Sequence, residues 1–413
     1  MNSDELFYPP GIGDAAMHKD LENRNARAII KGEKLRSLRN RHPWIFSGAV
    51  ERIEGEFQSG DILSVYAPDG RFLAKGFVNL HSQIRIRALT FREETITPDF
   101  FRRRMAEAMS FRRTFVPPQT TAYRLIHSDG DLLPGLIVDR YADVLVVQFN
   151  SLGIARLRPL VIEWLVETLR PRAIVERSEA RILSEEGLEQ VRQVLYGEAP
   201  AEVEILEHGV KFVVDVVEGQ KTGFFLDQRE NRRMIGELAA GKRLLNCFSY
   251  SAGFSVYAAL RGAITTSVDI SEPAIEMARR NFEINGLEVS RHRFVVANVF
   301  EYLREMEEPY DVIILDPPAF VKQRKHVARG AQGYKDINRL AILNSIIGGL
   351  ILTCSCSAHV SWDLFQKIIF SAAREAGRNV QILGKQSQPV DHPINVYHPE
   401  GEYLKSMLLR VLD

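Results

Sequence analysis

From residue 27 to about residue 92 the apolar positions fall in short or alternating runs, Asp61 to Tyr66, Phe72 to Phe77 and Gln83 to Leu89, broken by glycines and an Asp69-Gly70 turn. A period of two with turn residues between runs predicts strands that bury one face, so 27–97 reads as a small β-rich domain. The period then lengthens. A helix is predicted from Pro98 to Phe115, strands at Tyr123–Ile126, Leu136–Asp139 and Val144–Gln148, a helix near Ala155–Leu169 and a strand near Ala173–Glu176, which together make a second α+β unit over 98–204. Tyr196 to Glu204, with Gly, Pro and acids, reads as the connection onward. Over 205–413 strand-like runs alternate with helix-like ones: Lys242–Phe248, Phe254–Leu260, Thr265–Asp269, Glu272–Asn285, Val312–Leu315 and Leu350–Cys354. That alternation predicts an α/β domain with a parallel sheet covered on both faces and ligands at the carboxyl ends of its strands. Residues 1–26 carry no periodicity and are expected to form a flexible extension.

Composition narrows the class. The 413 residues are 45% hydrophobic and 26% charged, ordinary values for a chain that folds by burying apolar surface. The 53 basic side chains balance 53 acidic ones, so any basic footprint must be local. One such cluster exists. Lys31, Lys34, Arg36, Arg39 and Arg41 precede His42 and Trp44, with Glu33 the sole acid between Lys31 and Arg41. Cations beside an aromatic ring suit a phosphate backbone with a base or sugar nearby; a solvated helix face followed by a buried Trp accounts for the same residues. Three cysteines, Cys247, Cys354 and Cys356, are too few for a disulfide framework or a four-ligand zinc site, so no metal is expected and a reducing, cytoplasmic setting is. No apolar run approaches the roughly 18 residues of a membrane span, so no membrane association is expected.

Three segments carry chemistry. Leu245-Asn246-Cys247-Phe248-Ser249-Tyr250-Ser251-Ala252-Gly253 leaves a strand and turns through small residues into a helix, a setting in which a nucleoside-type ligand can approach the backbone. The next strand ends in Asp269, whose carboxylate can accept from both ribose hydroxyls or cap the following helix, a role for which Ser271 competes. Asp316-Pro317-Pro318-Ala319-Phe320 places an acid at a strand tip, before a rigid turn with an aromatic beyond it, where a planar base fits. Finally, Thr353-Cys354-Ser355-Cys356-Ser357 puts two cysteines at i and i+2, on one side of an extended chain. A thiolate there is a carbon nucleophile at the ligand-binding end; a strand cysteine is also common core packing.

These stretches, together with Lys31-Gly32, His42-Pro43-Trp44-Ile45-Phe46-Ser47-Gly48-Ala49, Lys221-Thr222-Gly223-Phe224-Phe225-Leu226-Asp227-Gln228-Arg229 and Gly333-Tyr334-Lys335-Asp336-Ile337-Asn338, make the chain resemble the large-subunit rRNA cytosine-5 methyltransferase I family from about Ala28 onward. The resemblance implies a PUA domain, a small α+β domain and a class I S-adenosylmethionine (SAM) methyltransferase domain. It implies that Asp269 holds the ribose, Asn298 lies near adenine, and Gln228 with Asn246, Phe248 and Ser249 frames the cofactor. Asp316 would face the target base and Cys356, not Cys354, would be the nucleophile. Three positions depart from the family pattern: Ala252 replaces a usual Gly, Asn298 a usual Asp, and Cys354 is extra.

The implied reaction suits these residues. Carbon 5 of cytosine is a poor nucleophile, and thiolate attack at carbon 6 makes an enamine whose carbon 5 accepts the methyl group. The implied substrate is 23S rRNA, naked or partly assembled, gripped by the basic cluster, with a homodimer left open. Rival readings are methylation of uracil carbon 5 or of a guanine nitrogen, the latter needing no cysteine, and a catalytically inactive RNA-binding assembly factor.

Overall fold

The computed structural model describes residues 21–413 apart from Glu179 and Lys322. Residues 1–20 of the expected extension lie outside them. Residues 22–26, expected to be flexible, belong instead to the strand Glu22–Ile30, which hydrogen-bonds on both sides. The chain forms two compact units. One takes the described residues up to Val203 with Val214–Phe224 and Val390–Gly401; the other takes Glu204–Val213, Phe225–Pro389 and Glu402–Asp413.

In the first unit the predicted β-rich segment is a six-stranded sheet in the order Trp44–Phe46, Ile84–Thr90, Phe72–Val78, Ile62–Tyr66, Glu22–Ile30, Val50–Glu54. The predicted α+β segment supplies a five-stranded sheet whose edge strand, Val191–Gly197, includes residues expected in a connection. The helix Pro98–Phe115 falls where the period predicts it, with Pro98 in its first turn. The two segments share one core: Ile62 and Phe77 of the first sheet pack with Phe100, Phe101 and Met105 of that helix. Gly153 makes this approach close, since a Cβ there would stand 2.1 Å from the Phe77 ring.

The second unit is built on a seven-stranded sheet, whose strands we number in chain order: β1 (Arg243–Cys247), β2 (Ile264–Asp269), β3 (Arg293–Val296), β4 (Tyr310–Leu315), β5 (Ser345–Ser355), β6 (Val380–Gln386) and β7 (Lys405–Val411). Their order is β3-β2-β1-β4-β5-β7-β6. Strands β1 to β5 are parallel, and β7 runs antiparallel between β5 and β6. Buried apolar residues cover both faces. Leu245, Ile313 and Ile351 face a cluster with Tyr334 and Phe365, whereas Leu244, Ile314, Leu352 and Cys354 face one with Ile235 and Phe254. The strand order reverses between β1 and β4, and this is the switch point at which such sheets open a crevice at their carboxyl ends.

Candidate active site at the carboxyl ends of the strands

The crevice is shaped first by the turn after β1. Phe248, Tyr250 and Ala252 have φ of 58°, 47° and 59°, three non-glycine residues in the left-handed region within five positions. Each such residue costs on the order of 1 kcal/mol or more, and clusters of this kind mark sites where the backbone is held in one shape for a purpose. Ala252 is the residue just before the helix Gly253–Ala259, in a left-handed conformation that a glycine would adopt without strain.

The turn is clamped by Asp269 at the end of β2. Its Oδ2 accepts from the Tyr250 N–H at 2.8 Å and its Oδ1 from the Ser271 N–H at 2.9 Å. Ser271, not Asp269, caps the helix Glu272–Ile284, its hydroxyl accepting from the Ala274 N–H. The half-buried Asp269 carboxylate therefore keeps lone pairs for a ligand diol. On β1, the Asn246 amide donates to Ser255 Oγ at 3.1 Å, which links it to Ser267. Asn246 Oδ1 and Ser249 Oγ are buried with no hydrogen-bond partner among the described residues. Orphaned buried acceptors and donors beside a strained turn are what a polar cofactor would satisfy, so these residues fit a nucleoside-bearing cofactor. Asn298 is exposed and caps the helix Val299–Glu305 through Oδ1 to the Phe300 N–H at 2.9 Å. Gln228 is 2% exposed and accepts from Asn231 Nδ2 at 2.6 Å.

The other candidate groups stand at the carboxyl ends of β4 and β5. Asp316 stands half-buried just beyond β4, and Phe320 past the two prolines packs on Tyr334 with ring centroids 4.7 Å apart. The Phe248 and Phe320 rings lie edge to face at 6.4 Å. The two cysteines part company at the strand end. Cys354 is the penultimate residue of β5, fully buried, its thiol donating to Ser406 Oγ at 3.3 Å, and burial pushes that thiol well above its ordinary range. Cys247 is likewise buried, and burial raises its thiol too. Cys356 lies one residue past β5 and is the cysteine with solvent access. Its position is fixed by its neighbours: Ser357 Oγ accepts from the Val321 N–H at 3.2 Å and shares a hydrogen bond with the Tyr334 hydroxyl at 3.0 Å.

Residues 183–410 match the S-adenosylmethionine-dependent methyltransferase family, and residues 28–91 match a PUA-like domain. The ribosomal RNA large subunit methyltransferase I of Aeromonas salmonicida is 46% identical over 92% of this chain and 98% of its own length, and that of Alteromonas mediterranea is 41% identical over 94% and 100%. The chain belongs to the ribosomal RNA large subunit methyltransferase I family. Among solved structures, a Streptococcus mutans chain assigned as a SAM-dependent methyltransferase superposes with a TM-score of 0.81 at 27% identity, covering 93% of this chain and 100% of that one. A second methyltransferase chain, solved as a complex with SAH, gives 0.82 at 26% identity with the same coverage. The cofactor of this family member is SAM, and the donor set around β1 and β2 is consistent with it.

The family's PUA-like domain carries the basic cluster. Lys34, Arg36, Arg39 and Arg41 are exposed and Lys31 half-exposed around the short helix Leu35–Arg39, whose Leu35 and Leu38 point into the core. Trp44 is engaged within the unit: its indole N–H donates to Asp129 Oδ1 at 3.2 Å, and its ring packs on His398 at 4.3 Å and under Arg87 at 5.6 Å. Tyr397, 45% exposed, also lies beside the cluster, with the Arg41 guanidinium 5.9 Å from its centroid.

Sequence reasoning also passed over Lys405. The first residue of β7, it is 3% exposed and donates to the carbonyls of Ser357 at 3.2 Å and Tyr403 at 2.8 Å, on either side of nothing more conspicuous than an apolar strand in the sequence. A lone lysine before an apolar run gives no signal without the strand pairing.

Proposed function

We propose that this enzyme methylates carbon 5 of a cytosine in 23S rRNA through a covalent adduct on Cys356. The observation that carries the reading is the separation of the thiols: Cys247 and Cys354 are sealed in the core, while Cys356 is partly open to solvent just past the carboxyl end of β5. The names of the curated relatives support an rRNA substrate, and the PUA-like domain with its exposed cations supports RNA binding.

Bound SAM supplies an electrophilic methyl group. Asp269 would hold its ribose, with Asn246, Phe248, Ser249, Asn298 and Gln228 around it. The Cys356 thiolate adds to carbon 6 of the ring, and the electron pair displaced from the carbon 5–carbon 6 bond makes carbon 5 nucleophilic. Asp316 hydrogen-bonds the ring edge where negative charge develops. After methylation the carbon 5 proton leaves to a base, and the returning electron pair expels Cys356 as thiolate. Carbon 5 and carbon 6 are hidden in a stacked duplex, so the target base is flipped or presented in naked or partly assembled rRNA. The same reading places the enzyme in the cytoplasm, with a homodimer as the assembly to examine by light scattering.

The test is incubation of the purified protein with labelled SAM and unmodified 23S rRNA, wild type beside Cys356→Ala, with nucleoside mass spectrometry. 5-Methylcytidine that disappears in the variant supports the proposal. Methylguanosine that survives the substitution overturns it in favour of nitrogen methylation, and no methylation at all with tight RNA binding would return the chain to the assembly-factor reading.

A further inference from the structure

We infer that the ammonium of Lys405 is the counter-charge that keeps the Cys356 thiol ionised, which makes Lys405 a positioning residue of the methyl-transfer site. The inference rests on the reading of Cys356 as nucleophile.

The argument begins with register. In the antiparallel pairing of β5 and β7, Lys405 stands opposite Ser355, the last residue of β5, so the lysine is carried to the strand end where Cys356 follows. Its Nζ is tied to the carbonyl of Ser357 on one side and of Tyr403 on the other. The ammonium is thus anchored to the residue that follows Cys356, and the two side chains interact electrostatically. Both acceptors are neutral carbonyls. A cation 3% exposed with only carbonyl acceptors is costly unless an anion stands nearby. A thiolate at Cys356 is such an anion, alongside the Glu402 carboxylate, and the benefit is mutual: whatever the thiolate does to hold the lysine charged, the lysine does to hold the thiol ionised.

The other groups facing the pair are few. Glu402 acts on Lys405 from the preceding loop; Tyr334, from the helix Val327–Leu343, acts on Cys356; Cys354, on the opposite face of β5, senses both Asp316 and Cys356. Tyr334 and Cys354 are both held neutral by burial, whereas Lys405 brings a positive charge. Burial lowers Lys405 from its ordinary value, while Cys356 and Glu402 pull it back up. On ionisation the thiol proton goes to water and the ammonium keeps its three protons, so no proton passes between the two.

The test is the pH dependence of Cys356 alkylation by iodoacetamide in the full-length protein without RNA, followed by peptide mass spectrometry. Cys247 and Cys354 are buried and serve as internal indicators of unfolding. Wild type is expected to titrate with a midpoint below the roughly 8.5 of a free cysteine. Lys405→Gln keeps donors for the two carbonyls and removes the charge; its midpoint is expected to rise by about one unit, slowing alkylation near neutral pH about tenfold, with an unchanged plateau at high pH. Lys405→Arg is expected to restore the low midpoint. A wild-type midpoint at or above about 8.5, or an unchanged midpoint in a folded Lys405→Gln protein, overturns the inference. Because alkylation needs no RNA, its outcome is independent of the nucleoside assay: Cys356→Ala that still methylates would sink the nucleophile reading whatever the midpoints show.

Discussion

Glu207→Gln tests the buried ion pair beneath the cofactor turn. Glu207, at the end of the strand Val203–Glu207, accepts from Arg232 Nε at 2.7 Å and from its Nη2 at 2.6 Å, a two-point contact with both side chains at most 3% exposed. Arg232 also donates to the Phe225 carbonyl, and its Cδ lies where a Cβ on Gly253 would stand, 2.7 Å away, at the opening of the helix behind the turn. The substitution keeps the shape and removes the carboxylate charge, so a guanidinium in the core loses its two-point anionic partner. Breaking one partner of such a pair costs about 3–5 kcal/mol, because the surviving charge remains desolvated. In a unit of roughly 190 residues, at about 2–4 °C per kcal/mol, the melting transition should fall by about 6–20 °C. Differential scanning calorimetry without SAM reads it. The double substitution Glu207→Leu/Arg232→Met removes both charges and is expected to recover most of the loss, giving a coupling of about 2 kcal/mol or more. A Glu207→Gln protein within about 1 kcal/mol of wild type would refute the claim that this pair is desolvated and interdependent.

Three further outcomes follow from geometry already described. Asp269→Asn loses the charge that clamps the Tyr250 and Ser271 amides and that we propose holds the ribose, so SAM affinity by titration calorimetry is expected to fall at least about tenfold, or about 1.4 kcal/mol; unchanged affinity would remove Asp269 from the proposed cofactor site. Replacing Arg36, Arg39 and Arg41 by alanine is expected to flatten the log–log salt dependence of rRNA binding by up to about 0.7 per lost phosphate contact, and an unaltered slope would place the RNA elsewhere. Burial works against the charged form of Glu230, yet hydrogen bonds from His208 and Arg229 outweigh it and hold its carboxyl down at about 2. Since the folded value lies below the unfolded one, its stabilisation is complete above about pH 4.5 and is lost as pH falls toward about 2. Glu230→Gln should flatten that acid limb, and an identical limb in wild type and variant would show that the pairing contributes nothing.

What the sequence made legible follows from what is local. Short strand-like runs set β1, β2, β4 and the carboxyl half of β5, and the period of Pro98–Phe115 set its helix, because each pattern is complete within its own segment. The candidate site was legible in the same way at Asp269, Asp316 and Cys356, each at the end of such a run. Partners distant in sequence were not legible. Trp44 was read beside its neighbouring cations, whereas its indole bonds to Asp129, 85 residues away. Cys354 and Cys356 looked equivalent because alternation puts i and i+2 on one side; β5 stops at Ser355 and only the first of them is in the sheet. The two N-terminal segments were read as separate domains because turn residues divide them, although their apolar faces meet in one core. Lys405 needed the antiparallel register of β7, which no spacing rule supplies.

The interleaving of the two units bears on how the enzyme is made. The chain passes from one unit to the other five times, so no single cut releases either of them whole. Its last excursion, Val390–Gly401, comes immediately before β7, and β7 is an interior strand that must insert between β5 and β6. Synthesis runs from the N-terminus, so β5 and β6 both emerge before the strand that joins them. A prematurely terminated chain therefore lacks Lys405, the β5–β7 seam and a closed wall behind Cys356 all at once. The surroundings of Cys356 are therefore completed by the strand that comes latest in chain order among those of the sheet.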